Sequence, residues 1–194
     1  MLRLQSAHIS DEGTLTFFDE ARNRVLAIGG IHELLYQSPD LARVDFGLYL
    51  RRLTQDLLAF YEVGENRLQR EIEVKDANLE ISQAVPCGLI VNELVTNALK
   101  HAFPGGRSGT LRVSFVCAEQ RCVLGVEDDG VGLPEGFDWT QTNSLGLQLV
   151  QILTKQLDGA VRIESRSPGT RFEISFPWGG GRPEYLKGHP AVSR

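Results

Sequence analysis

The run Val126-Glu127-Asp128-Asp129-Gly130-Val131-Gly132-Leu133 brings a β-rich stretch to an end in acids and two glycines. Alternation with period two puts Asp128 on the face shared by Leu124 and Val126, so its carboxylate points into the layer that packs on the sheet and needs a donor there. The exocyclic amine of adenine is one such donor, and Gly130 and Gly132 would let the backbone lie close to a flat ring. Taken alone, the run is also an Asp-Gly turn closing a hairpin. Further on, Asn143-Ser144-Leu145-Gly146-Leu147-Gln148-Leu149-Val150 sets a glycine at the entry of an amphipathic helix. Free backbone N–H groups and the positive helix end form an anion site there, and a glycine lets phosphate approach. A plain N-terminus capped by Ser144 has the same sequence. In Asn92-Glu93-Leu94-Val95-Thr96-Asn97-Ala98-Leu99-Lys100-His101, an acid, an amide and an ammonium recur at steps of four and three. Rotation by about 100° per residue gathers Glu93, Asn97 and Lys100 within an arc of about 60°, either a functional stripe or a solvated face.

Those residues need a sheet and helices to hold them. Residues 110–117 and 121–128 are β-rich around a short polar loop and predict a hairpin, as do 160–165 with 170–176, turning at Ser167-Pro168-Gly169. Between the hairpins lie a lid-like loop, 133–143, and a helix over about 144–157, ended by Gly159. A strongly apolar helix is predicted over about 84–103 with Pro86 in its first turn, after a strand pair or one bent strand around 72–81. Before these, Phe46, Leu50, Leu53 and Leu57 share one face of a helix that Asp45 would cap. Phe18, Ala21, Val25, Ile28, His32 and Leu35 follow alternating three- and four-residue steps, the seam of a helix in a bundle. Residues 2–9 would end an earlier helix, with Ser10, Asp11, Glu12 and Gly13 as the break. The expected architecture is α+β: a two-layer α/β sandwich over 39–178, preceded by a partial helical hairpin over 1–38 and followed by a flexible tail, 179–194.

With 194 residues, 42% of them hydrophobic and 23% charged, the chain is long enough for one main core and an accessory segment. A net charge of −5 gives no general attraction to nucleic acid or anionic lipid, so neither is expected as a partner. No apolar run approaches the roughly 20 residues that span a bilayer, and the basic-then-apolar layout of a signal peptide is missing, so a cytoplasmic location is expected. Cys87, Cys117 and Cys122 lack zinc-ligand spacing. Buried reduced thiols are expected, although Cys117 and Cys122 could face each other across a hairpin.

Order and topology tie the motifs together. The run from Asn92 to His101 resembles the N box of sensor histidine kinases, Asp128 to Gly132 their first glycine box, Ser144 to Leu147 their second, and Gly169-Thr170 their late glycine-threonine element. The flanks Ile31-His32-Glu33-Leu34-Leu35-Tyr36-Gln37-Ser38 and Leu89-Ile90-Val91-Asn92-Glu93-Leu94 are similar to the subfamily whose phosphoacceptor sits in an H-R-x-K-N-N box. The resemblance extends over about residues 4–177 and implies the Bergerat-type ATP-binding fold of the gyrase, heat-shock and histidine-kinase ATPases. It implies ATP and Mg²⁺ as ligands, with Asn97 on the metal, Asp128 reading adenine and Lys100 offsetting phosphate charge. Glu93 takes the position of the general base of the related ATPases, and in kinases would orient the acceptor imidazole. His101, Gly130, Gly132, Ser144, Leu145, Gly146, Leu147 and Thr170 complete the implied nucleotide site. The lid is short, the second glycine box has one glycine where many kinases have two, and a separate phenylalanine box is not evident.

The H-R-x-K-N-N box itself is absent from the sequence, so the acceptor is expected upstream, and the chain alone is expected to bind ATP without stably phosphorylating itself. His32-Glu33 superficially resembles the histidine-acid pair of other acceptor boxes, but His32 falls on the predicted apolar seam, where a packed histidine is expected. His8 and His189 lack supporting partners. The implied function is ATP-dependent phosphorylation of a histidine for relay to a response-regulator aspartate, in a protein that dimerises at full length. The competing readings are a nucleotide-binding signalling module without kinase activity, and a serine-kinase or ATPase relative.

Overall fold

The computed structural model describes residues 12–37, 42–61, 63–64, 67–75, 78–142, 144–165 and 168–178. Alternating apolar and polar residues make the strands. Along β4 (Gly109–Ala118) and β5 (Arg121–Asp128), Leu111, Val113, Phe115, Leu124 and Val126 are buried, while Arg112, Ser114, Val123 and Glu127 between them take the other face. Glu119 and Gln120 both adopt positive φ, the two-residue turn whose twist matches a right-handed hairpin. With β2 (Leu68–Lys75), β6 (Ala160–Ser165) and β7 (Thr170–Pro177), these strands form a five-stranded sheet in the order β2-β4-β5-β7-β6. Only the β2–β4 pairing is parallel. Two short strands, β1 (Arg43–Asp45) and β3 (Asn78–Glu80), pair with each other outside that sheet.

Helices cover the inner face. α1 (Glu12–Gln37) precedes β1; α2 (Phe46–Phe60) follows it; α3 (Ile81–Asn97) follows β3; and α4 (Leu145–Gln156) lies between the hairpins. The Asp45 carboxylate caps α2 by accepting from the Leu48 N–H at 2.9 Å, and Phe46, Leu50, Leu53 and Leu57 are buried, as their spacing predicts. The layered α+β architecture therefore follows the sequence pattern.

Four details differ from expectation. α1 begins at Glu12, so Glu12 and Gly13 lie inside a helix rather than in a break. Its buried stripe is Asn23, Ala27, Ile31 and Leu34, which joins the core shared with α2 and α3; Val25 and Leu26 are 59% and 63% exposed, and His32 is exposed. The helix carries two apolar stripes, and the one about half a turn from the predicted seam meets the rest of the chain. α3 starts at Ile81, which places Pro86 in its second turn. The thiols of Cys117 and Cys122 are joined in a disulfide, because the two-residue turn sets these residues directly opposite with Cα atoms 4.0 Å apart; Cys87 is free and buried. The expectations for residues 2–9, the Ser38-Pro39-Asp40 turn, Asn143, Ser167, the tail from 179, and His8 and His189 lie outside the described residues.

Candidate functional site

The C-terminal end of α3, the end of β5, the following loop and the start of α4 enclose a cleft of about 390 Å³. Asn97, His101, Asp128, Gly132, Ser144, Leu147 and Thr170 line it, brought together from four separate segments of the chain. A groove of similar size between α1 and α2 has mainly apolar walls and holds none of the expected site residues. Convergence of unlike polar groups on an apolar cleft marks the first of these as the candidate binding site.

Asp128 closes the inner-face row of Leu124 and Val126, as alternation predicts, and sits half-buried in the cleft. Burial raises its carboxyl above the ordinary aspartate range, while hydrogen bonds from the Gly130 N–H, at 2.9 Å, and from the Thr170 backbone pull the other way. Desolvation dominates; two hydrogen bonds leave acceptor sites on the carboxylate, which lines the cleft. Gly130 packs flat on the end of the α3 segment: a Cβ there would strike the Ala102 carbonyl, to which Val131 N–H donates at 2.9 Å. The first glycine run thus docks on the element that carries Asn97.

Past Asn97, the helix widens into an i→i+5 turn over Ala98–Ala102. That turn takes an extra residue, so Lys100 lags behind the 100° steps that would stack it over Asn97. Asn97 and His101 face the cleft; Glu93 and Lys100 do not line it. Instead the Glu93 carboxylate, 4% exposed as a residue, accepts from Arg24 Nε at 2.7 Å, Arg24 Nη2 at 2.9 Å and Asn92 Nδ2 at 3.1 Å. Lys100 Nζ donates to Glu20 Oε1 at 2.6 Å. The predicted stripe is therefore split between the cleft and α1.

Gly146 stands at the start of α4 because any larger residue would strike Glu93 Oε2. Ser144 occupies the N-cap in extended backbone, but its side chain makes no capping hydrogen bond, unlike a plain cap. Leu145, half-exposed, and Gly146 and Gly130 are all outside the cleft lining. The loop after β5 supplies Leu133, Pro134, Phe137 and Thr142 to the cleft wall and opposes Leu94, Val126 and Phe172. Sequence reasoning missed these apolar walls; the only signal was the apolar residues clustered in a polar loop. The loop is fixed by Asp138, whose carboxylate accepts from the Thr140 hydroxyl at 2.6 Å and from Gln141 Nε2 at 2.9 Å, and is held below the ordinary range by those bonds. Gln151 Nε2 ties it to α4 through the Trp139 carbonyl at 2.7 Å.

Known proteins share this arrangement. Residues 83–180 match the family model described as histidine kinase-, DNA gyrase B-, and HSP90-like ATPase, and residues 1–61 match a second model described as histidine kinase. The chain is 32% identical over 187 residues to blue-light-activated histidine kinase 2 of Erythrobacter litoralis, covering 91% of this chain and 51% of that protein. It is also 32% identical over 184 residues to sensor histidine kinase PdtaS of Mycobacterium tuberculosis, covering 92% and 36%. The chain thus spans about half or less of the length of these relatives. The solved histidine kinase domain of the Erythrobacter litoralis EL346 blue-light activated histidine kinase superposes with a TM-score of 0.76 at 26% identity, covering 92% of this chain and 82% of that one.

Proposed function

Because the chain belongs to the histidine kinase-, DNA gyrase B- and HSP90-like ATPase family, we propose that it is the ATP-binding, phosphoryl-donating part of a sensor histidine kinase. The observation that carries this reading is the convergence of Asp128, Asn97 and the N-terminus of α4 on one cleft. The adenine amine donates to Asp128, and Val126 and Phe172 lie beside the ring. The triphosphate runs towards Ser144, Leu145, Gly146 and Leu147, where the helix end offers N–H donors to anions. Thr170 and Gly132 border the base, and His101 the opposite wall.

A Mg²⁺ ion fits these residues. Among the described residues no group of three or more His, Cys, Asp or Glu could hold a metal, but Mg²⁺ keeps several waters and binds through one or two protein ligands plus phosphate oxygens. The half-buried Asn97 amide supplies such a ligand at the cleft. When bound, the ion neutralises phosphate charge; the protein's own part is positioning and electrostatics. Lys100 and Glu93, turned from the cleft and held by Glu20 and Arg24 in this structure, would add a positive charge and orient the acceptor imidazole once released from those partners. The phosphohistidine then feeds an aspartate in a response-regulator receiver domain, and the full-length protein dimerises. No helix among the described residues is long and apolar enough to cross a membrane, and a cytoplasmic site of action fits an ATP-consuming reaction.

The test is incubation with γ-labelled ATP and a separate helical-hairpin domain carrying an H-R-x-K-N-N box. Acid-labile, alkali-stable label on that hairpin, lost with Asn97→Ala, is the expected result. ATP binding without any transfer points to a signalling module, and acid-stable label on this chain points to a serine kinase. The exposure of His32 removes the packing argument against it, so the chain alone is the necessary control. Label that appears there and vanishes in His32→Gln would make His32 the acceptor.

A further inference from the structure

The split of the Glu93–Lys100 stripe has a partner on the other side. Four consecutive turns of α1 dock on α2 and α3, and their chemistry changes along the helix. From Ala27 to Leu34 the contact is apolar, closed by the Tyr49 hydroxyl donating to the Ala27 carbonyl at 3.0 Å. From Glu20 to Arg24 it is polar: Glu20 holds Lys100, Arg24 grips Glu93 with two hydrogen bonds, and the Arg22 guanidinium lies 4.1 Å from the Phe60 ring centroid. This polar half is imperfect. Arg22 Nε, Asn23 Nδ2 and Asn92 Oδ1 are buried there with no hydrogen-bond partner among the described residues. Orphaned buried polar atoms each cost free energy, so this half of the contact is less stable than its two ion pairs alone would make it. A polar, incompletely satisfied interface is the kind that forms and breaks reversibly.

We propose that the polar end of α1 and the nucleotide's phosphates compete for Lys100 and Glu93, so that α1 docking weakens triphosphate binding and Mg²⁺·ATP binding loosens α1 between Glu20 and Arg24. This rests on the reading that Lys100 offsets phosphate charge. A docked Glu20 cancels the Lys100 charge at 2.6 Å. A docked Arg24 holds Glu93 against Gly146, at the helix end towards which the phosphates run. Since binding free energies are linked, whatever the docked helix takes from ATP affinity, ATP takes from helix docking. The consequence is a device on the nucleotide domain's own surface through which movement of α1 reaches the phosphoryl-donating end of the cleft without touching the adenine end.

Calorimetric titration of this chain with Mg²⁺·ATP and, separately, with adenosine tests it, in wild type, Glu20→Gln, Lys100→Ala and the double variant at low ionic strength. Glu20→Gln is expected to tighten ATP about fivefold, the lower end of ordinary coupling, and to leave adenosine unchanged. Lys100→Ala is expected to weaken ATP and to abolish the effect of Glu20→Gln in the double variant. Hydrogen exchange in residues 20–26 is expected to speed up with ATP and not with adenosine. If Lys100→Ala weakens ATP but Glu20→Gln does not strengthen it, the competition is wrong while the pocket reading stands. If Lys100→Ala leaves ATP affinity unchanged, the phosphate role of Lys100 fails and the competition falls with it. Equal tightening of ATP and adenosine would mean general loosening of the fold, and would also overturn the proposal.

Discussion

On the outer face of the sheet, Glu71, Arg112, Glu127, Arg171 and Glu173 form a chain of ion pairs from β2 to β7, at 2.7 to 3.2 Å. Between α1 and α3, Arg24–Glu93 and Glu20–Lys100 pair at 2.7 and 2.6 Å. The distances are alike, and the surroundings are not. Arg112 is 38% exposed as a side chain and Glu93 is 5% exposed. Exposed pairs gain little, because water and salt screen the attraction. A buried carboxylate, by contrast, depends on its cation, because removing the partner leaves a charge that water cannot reach. The outer chain decorates a sheet that other forces hold, whereas the buried Arg24–Glu93 pair ties the first helix to the element that carries Asn97; Glu20–Lys100, 27% and 21% exposed as side chains, stands between the two cases.

The comparison breaks most sharply at Arg24. Arg24→Ala is expected to cost about 3 kcal/mol of unfolding free energy, the lower end for stripping one member from a buried pair. Urea denaturation reads this directly, and a loss as small as that of an exposed pair would erase the distinction. Asp128 is a half-buried acid with no cation paired to it among the described residues, and it sharpens the contrast. Asp128→Asn is expected to weaken ATP by about 1.5 to 3 kcal/mol, the range of a charge-assisted hydrogen bond, and inorganic triphosphate by much less. Equal losses for the two ligands in competition titrations would mean that Asp128 does not read the base.

Asp128 also fixes a pH dependence. Its folded-state carboxyl is raised above the unfolded value, chiefly by burial. A raised acid contributes stability that is complete below the unfolded value and is lost as pH rises through the folded one. Asp128→Asn should therefore be more stable than wild type at neutral pH, with the gap closing on acidification. Its ATP deficit should shrink over the same window, just above the ordinary aspartate range, because a protonated carboxyl no longer offers the amine a charged acceptor. Thermal melts and titrations at stepped pH would show the two trends; a stability gap that widens in acid contradicts the cause assigned to the shift. The smallest effect belongs to the outer face. Arg112→Ala is expected to change unfolding free energy by less than about 1 kcal/mol, and a larger loss would show that the outer chain acts as a network.

The same contrast explains what the sequence let us read. Glu71, Arg112, Glu127 and Arg171 meet because they stand directly opposite in register, a row that needed the strand order as well as the alternation and so was not read. Asp128 was legible from period-two alternation alone, and Asp45 through its local reach to Leu48. Arg24 and Glu93 are 69 residues apart and Glu20 and Lys100 are 80, distances over which no local pattern acts. That Lys100 turns to Glu20 rather than to the cleft was not legible, because the apolar sequence gave no sign of the wide turn at Ala98–Ala102. The α1 stripe was misjudged because that helix carries two apolar stripes, and periodicity cannot say which neighbour each will meet. The disulfide needed the turn residues Glu119 and Gln120 at positive φ, a conformation those residue types do not advertise.

Binding of Mg²⁺·ATP in this cleft with the metal end at Asn97 is decided by calorimetry of ATP with and without Mg²⁺, in wild type and Asn97→Ala. Mg²⁺ is expected to strengthen ATP binding to wild type, and that increment is expected to be largely lost in Asn97→Ala while metal-free binding changes little. An identical Mg²⁺ increment in the two proteins would take the metal away from Asn97.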